Sequence, residues 1–305
     1  MNISPVVLFV YNRPWHTQQT VEALQKNELA QESELFVFSD GAKDEHDALK
    51  VREVRNYLRT VDGFKDISII EQEKNRGLAA SIVDGVTRVV NEYGRVIVLE
   101  DDLITSPFFL KFMNEALEIY NDANKVMHVS GYMLPIETTG LNQTVFYPSP
   151  SCWGWATWER AWKHYERDPS EVIKEFTPKM IKRFNLDGSY GFWEQVLDNY
   201  SGRIKSWAIF WYVAVFKQNG LCLHPVESMV QNIGHDGSGV HCNKTNSFFI
   251  SPAQHPVTFF ESKIEENQIL IERLKGYYRA IKPSLWQKIA RKVKRFYRIV
   301  RVISV

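Results

Sequence analysis

Short apolar runs and longer amphipathic stretches alternate through the first 130 residues. Residues 5–11 are apolar and rich in β-branched and aromatic side chains, and the polar Asn12-Arg13-Pro14 stops them before a helical stretch over about 16–26. The pattern then repeats, predicting strands at 34–39, 67–71 and 95–99 and helices at 45–60 and 78–92. A helix over 107–120 and a strand near 126–130 complete it. Strands alternating with helices at this spacing form βαβ units, so the pattern predicts an α/β fold with a mainly parallel sheet flanked by helices.

In such sheets, ligands sit outside the carboxyl ends of the strands. Three strand ends carry polar residues there: Asn12-Arg13, Ser39-Asp40-Gly41 and Glu100-Asp101-Asp102. The last is the most informative, because carboxylates gathered at the end of a buried strand repel one another unless a cation or a set of donors neutralises them. A divalent metal holding a phosphate supplies that neutralisation. None of these ends is followed by the glycine pattern of a dinucleotide fingerprint or a P-loop.

Beyond residue 130 the alternation ends. Trp153, Trp155 and Trp158 open an aromatic region that continues through Trp162, Trp193, Trp207 and Trp211. These rings form either a surface that stacks on sugars or an aromatic core under a long loop. The segment 234–241 is polar and glycine-rich, suited to a loop that closes on a ligand. Two helices are predicted to finish the chain, at 261–280 and 284–303. On the second, Leu285, Ile289, Val293, Phe296, Val300 and Ile303 recur every three or four residues opposite basic side chains.

Composition narrows the class. With 44% hydrophobic and 24% charged residues, the 305-residue chain can bury a full core. No apolar stretch approaches the ~18 residues of a membrane span, and the start shows no basic leader, which predicts a cytoplasmic protein. Cys152, Cys222 and Cys242 have no metal-binding or disulfide spacing. The net charge of +1 hides an asymmetry: residues 282–305 hold eight of the 37 basic residues and none of the 36 acidic ones. The acidic body argues against nucleic acid, and the basic amphipathic helix predicts contact with an anionic membrane surface.

The order strand-Asn-Arg, strand-Ser-Asp-Gly, Asn75-Arg76-Gly77-helix, strand-Glu-Asp-Asp resembles nucleotide-sugar glycosyltransferases of the GT-A (Rossmann-like) fold. The resemblance is to the branch that contains N-acetylglucosaminyltransferase I and its bacterial relatives, and it covers about residues 5–241. It implies a glycosyltransferase domain over 1–245, with a donor half to about 130 and an acceptor half from 131. A C-terminal helical segment at 246–305 includes the basic helix 284–303. It also implies a nucleotide-sugar donor, UDP-linked, whose pyrophosphate and uracil are held by Arg13 and Asp40, with Arg76 near the nucleotide or sugar. Glu100 and Asp101 would contact the ribose and the transferred sugar. Asp102 would ligate Mn²⁺ or Mg²⁺, joined by His241 of Gly239-Val240-His241, a role for which His235 competes. Trp153, Trp155, Trp193 and Trp207 are the expected acceptor-binding residues.

One departure concerns the catalytic base, which in this branch is an Asp directly after a Trp. Aligning the later Pro225-Val226-Glu227 puts that Trp on Trp207 and the base on Ala208, which accepts no proton. Glu194, after Trp193, offers the same local pattern, with Asp198 and Asp236 as alternatives. The reading is an inverting sugar transfer to a saccharide or lipid-linked saccharide, in surface polysaccharide or lipopolysaccharide synthesis, by an enzyme peripheral on the inner face of the membrane. A sugar nucleotidyltransferase and a non-catalytic saccharide- or nucleotide-sugar-binding protein stay as alternatives.

Overall fold

The computed structural model describes residues 2–237 and 246–281. Strands β1 (Val6–Val10), β2 (Glu34–Ser39), β3 (Asp66–Glu71) and β4 (Arg95–Glu100) alternate with helices α1 (Pro14–Gln25), α2 (Glu45–Leu58) and α3 (Leu78–Tyr93). A three-residue strand β5 (Leu103–Thr105), helix α4 (Phe109–Ile119) and strand β6 (Val126–Ser130) follow. Strands β7 (Thr144–Tyr147) and β8 (Trp155–Trp158) lead to α5 (Glu159–Trp162), α6 (Pro169–Glu175), α7 (Pro178–Phe184), α8 (Phe192–Tyr200) and α9 (Ala208–Lys217). The described chain ends with β9 (Leu221–Pro225), β10 (Val230–Asn232) and α10 (Gln268–Ile281).

Eight strands form one sheet in the order β3-β2-β1-β4-β8-β6-β9-β7. The first four are parallel, as the βαβ pattern predicts, whereas β8 runs antiparallel to both β4 and β6, and β7 antiparallel to β9. The sheet is covered on both faces, and the strands show it. In β1, Val6, Leu8 and Val10 enter one core with Val21 and Leu24 of α1, while Val7 and Phe9 enter the other with Ile82 and Val86 of α3. In β4, Ile97 and Leu99 divide from Val96 and Val98 in the same way. Burial on both faces explains why these strands read as continuous apolar runs, each large side chain contributing about 1.5–3 kcal/mol.

Helices α6 to α9 build a separate core around Phe176, Phe184, Trp193 and Phe210. The C-terminal helix starts at Gln268 rather than at 261, because the preceding segment is an extended strap. Gln143 Oε1 accepts from the Thr258 and Phe259 amides at 2.8 Å, Phe260 stacks on Phe112, and the Asn267 side chain caps the helix by accepting from Leu270 N. No described helix is long and apolar enough to cross a membrane. The basic helix expected at 284–303 and His241 lie outside the described residues.

Candidate active site

The carboxyl ends of β1, β2 and β4 meet at one edge of the sheet. Arg13, the residue before α1, donates from Nη1 to Asp102 Oδ2 at 2.8 Å and lies 3.5 Å from Asp101 Oδ1. The Tyr11 amide points at Asp101 Oδ2 at 3.4 Å. The Glu100 side chain makes no hydrogen bond with another described residue. Burial, then repulsion from Asp102 and Asp101, raises the Glu100 pKa to about 8; burial and Asp102 raise that of Asp101 to about 7. Arg13 pairs with two of the three carboxylates, so at full ionisation the strand end keeps a net charge of −2, which a divalent cation matches.

A short antiparallel ribbon sets the roof of this site. Strand β5, directly after Asp102, pairs with β10, and Ile233 N donates to the Asp102 carbonyl at 2.9 Å. The next residue, Gly234, lies so close that a Cβ there would stand 2.0 Å from Asp102 Oδ2 and 3.0 Å from Arg13 Nη2. Only glycine lets the backbone cover the ion pair. Two residues on, Asp236 Oδ2 lies 3.1 Å from Nε2 of the buried His16 on α1. Burial and the nearby Arg13 lower the His16 pKa, so at neutral pH the ring is uncharged and donates a hydrogen bond from Nε2 to Asp236.

Asp40 organises the loop before α3. One carboxylate oxygen accepts from Gly41 N and Arg76 N at 2.9 and 2.8 Å, the other from Gly77 N and Asn75 Nδ2 at 2.9 and 3.1 Å. Gly41 must be glycine here, since a Cβ would stand 2.4 Å from the Lys74 carbonyl carbon. Arg55 of α2 clamps the strand ends, donating to the carbonyls of Ser39, Asp40 and Gln72. Beside Asp40 lies a cavity of ≈ 120 Å³ lined by Phe38, Gln72, Arg76, Ser81 and Asp84 among others. The Arg76 guanidinium pairs with Asp84 at its rim. Opposite, Tyr11 Oη and Asn12 Nδ2 each donate to Asp47 of α2 at 2.7 Å, fixing the β1 end.

A second polar network lies under the segment 148–154. Trp211 Nε1–H donates to His128 Nδ1 at 2.9 Å, which leaves the proton on His128 Nε2, 2.9 Å from Ser130 Oγ and 3.0 Å from the Ser151 carbonyl. Ser130 Oγ accepts from Ser151 N and lies 3.3 Å from His224 Nε2, whose other nitrogen faces the Tyr132 carbonyl. His224 Nε2 also lies 3.2 Å from the Ser149 carbonyl, so each nitrogen of this ring faces a backbone carbonyl. Both rings are fully buried; burial lowers the His224 pKa to about 3 and that of His128 well below the usual value.

Three of the four tryptophans expected to bind the acceptor, Trp155, Trp193 and Trp207, are buried. Trp155 is 1% exposed and stacks on Trp207 at 5.4 Å inside the core shared with Trp162 and Trp211, while Trp193 stacks on Phe176 in the helical lobe. Each is more valuable as buried apolar area than as a solvated platform. Trp153 alone among the four stays half-buried near the site, edge-on to Tyr132 and His235. Among the described residues the exposed tryptophan is Trp15, at 58%, between Arg13 and His16; no apolar run marked it. His235 has both ring nitrogens buried without a hydrogen-bond partner, and no three described His, Cys, Asp or Glu side chains form a metal-ligating group. Glu194 is exposed in the first turn of α8, with its carboxylate over Gly191 and no hydrogen bond to the strand-end residues; Asp198 is engaged by Arg203.

A mainly parallel sheet flanked by helices, with polar residues at the carboxyl ends of its strands and an acidic end on the fourth, is the GT-A, Rossmann-like class of fold. The sequence matches the family model described as Glycosyl transferase family 2 over residues 6–184, and the chain belongs to that family. Among solved structures, it is similar to the mannosyltransferase PcManGT from Pyrobaculum calidifontis in complex with GDP-Man and Mn²⁺. That match has 11% identity and a TM-score of 0.39, over 70% of this chain and 68% of that one. It is also similar to S. aureus TarS, with 15% identity and a TM-score of 0.30, over 46% of this chain and 24% of TarS. No curated protein matches.

Proposed function

We propose that the protein is a metal-dependent glycosyltransferase that moves a sugar from a nucleotide donor, UDP-linked, to a saccharide or lipid-linked saccharide hydroxyl with inversion. The observation that carries this reading is the meeting of Arg13 with the acidic end of β4, beside the Asp40 loop and its cavity. In this reading the base lies in the cavity by Asp40 and Arg76, the diphosphate beside Arg13, and the ribose and sugar near Glu100 and Asp101. The order Glu-Asp-Asp supports the N-acetylglucosaminyltransferase I branch within the family.

The charge deficit at the strand end fits Mn²⁺ or Mg²⁺, which Asp102 would hold with His241 or His235. When bound, the metal stabilises the negative charge that builds on the leaving nucleoside diphosphate. The chain's own residues do the rest: Arg13 holds phosphate oxygens by charge-assisted hydrogen bonds, and the Gly234 backbone keeps water from the Asp102 carboxylate. A carboxylate must take the acceptor's proton. Glu194 is the proposed base, and Asp236, on the roof segment and tied by His16 to α1, is tested beside it.

The basic, amphipathic pattern of residues 284–303 supports a peripheral position on the cytoplasmic face of a membrane, where a lipid-linked acceptor for surface polysaccharide or lipopolysaccharide is within reach. The test is nucleoside diphosphate release from UDP- and GDP-sugars with Mn²⁺ and a saccharide panel, repeated with Asp102→Ala, Glu194→Gln and Asp236→Asn. Release by the wild type, abolished by Asp102→Ala, supports the transferase. Pyrophosphate production would instead indicate a nucleotidyltransferase. Ala208, at the first position of α9, favours the second reading, a binding protein, for which donor would bind without turnover.

A further inference from the structure

We infer that Arg13 is a built-in stand-in for the divalent cation at Asp102, and that its transfer to the donor's diphosphate couples metal binding to nucleotide binding. The inference rests on the proposed donor site but concerns a step that reading leaves open: how Asp101 and Asp102 are kept together before donor arrives.

The geometry makes the two cations alternatives. Arg13 Nη1 lies 2.8 Å from Asp102 Oδ2, the oxygen over which Gly234 closes, and 3.5 Å from Asp101 Oδ1. Both partners are largely shielded from water, with Arg13 and Asp102 side chains 15% and 13% exposed. An ion that takes this oxygen must first remove the shorter of the guanidinium's contacts with Asp101 and Asp102, a charge-assisted bond in a shielded site. A free metal ion offers Arg13 nothing in exchange. A metal–nucleoside diphosphate complex does, because its phosphate oxygens are ligands of the kind the guanidinium fork fits. Metal and nucleotide therefore enter together, and Asp102 is never left bare. The roof enforces the exchange, since with Gly234 against both groups there is little room for guanidinium and metal on the same oxygen.

Mn²⁺ binding is measured by the paramagnetic resonance signal of the free ion, without and with UDP or GDP, on the full chain and on Arg13→Gln and Arg13→Lys. Thermal melts confirm that each variant is folded. The wild type is expected to bind Mn²⁺ weakly alone and about tenfold more tightly with the nucleotide, an ordinary coupling between two ligands. Arg13→Gln should bind Mn²⁺ alone about tenfold more tightly than the wild type, lose that gain when Asp102→Asn is added, and show little further tightening with nucleotide. Arg13→Lys should fall between.

Unchanged or weaker binding of Mn²⁺ alone by folded Arg13→Gln overturns the inference, as does a gain that survives Asp102→Asn. If no nucleotide binds the wild type with or without Mn²⁺, the donor reading fails; the metal-only comparison still decides whether Arg13 holds the cation's place.

Discussion

The buried pair His128 and His224 makes a specific claim about acid stability, tested best by His224→Gln. In the folded protein His224 is neutral, with a pKa of about 3, because complete burial penalises the charged ring by more than the facing carbonyls of Tyr132 and Ser149 favour it. In the unfolded chain it titrates near 6.5. The folded pKa is depressed, so the unfolded state binds the extra proton as pH falls below 6.5, and stability is lost through that window down to the folded pKa. Between pH 7 and pH 5 this amounts to about 2 kcal/mol for one histidine. Absolute stability is a poor readout: Glu100 and Asp101, with raised pKa values, take up protons in the folded state over the same range and shift stability the other way. The difference between wild type and variant isolates His224. At pH 7, His224→Gln should cost roughly 1–3 kcal/mol through unsatisfied partners. At pH 5 that deficit should shrink by about 2 kcal/mol, because the wild type has lost what the glutamine never had. Urea unfolding at the two pH values, compared by midpoint and slope, measures it. Equal deficits at both pH values would refute the buried neutral imidazole.

Three further substitutions probe the site and its support. Asp40→Ala should lower stability by about 2–4 kcal/mol in urea unfolding, since four donors lose their acceptor, and should weaken nucleotide binding by calorimetry. Gly234→Ala should reduce Mn²⁺-dependent nucleotide binding at least about tenfold, because its Cβ would displace the Asp102 carboxylate, while the far helical lobe keeps its near-ultraviolet circular dichroism. Trp155→Ala should cost about 3–5 kcal/mol in thermal or urea unfolding, as a core deletion does; a loss of acceptor affinity with unchanged stability would restore its sugar-stacking role.

The parallel half of the sheet was legible because period and length both spoke for it: β1 and β4 are apolar on both faces, and the polar stops Asn12-Arg13 and Glu100-Asp101-Asp102 fall where the strands end. The antiparallel insertion of β8 was not, since four residues of aromatic-rich strand carry no alternation that separates them from a loop. Ring type alone cannot distinguish a sugar platform from a core, which is why Trp155 and Trp207 read as surface. At the site, the acids and Arg13 were visible as strand-end exceptions. Their supports were not: Arg55, Asp47 and the His16–Asp236 contact come from elements distant in sequence, and Gly234 read as loop flexibility whereas its role is close approach.

The decisive measurement is a crystal structure of the full chain with UDP and Mn²⁺, located by the anomalous signal of manganese. Manganese bound to Asp102 and to both phosphates, with the base against Asp40 and Arg13 moved onto the diphosphate, is the expected result. Nucleotide bound away from the carboxyl ends of β1, β2 and β4, or manganese with no contact to Asp102, would contradict it.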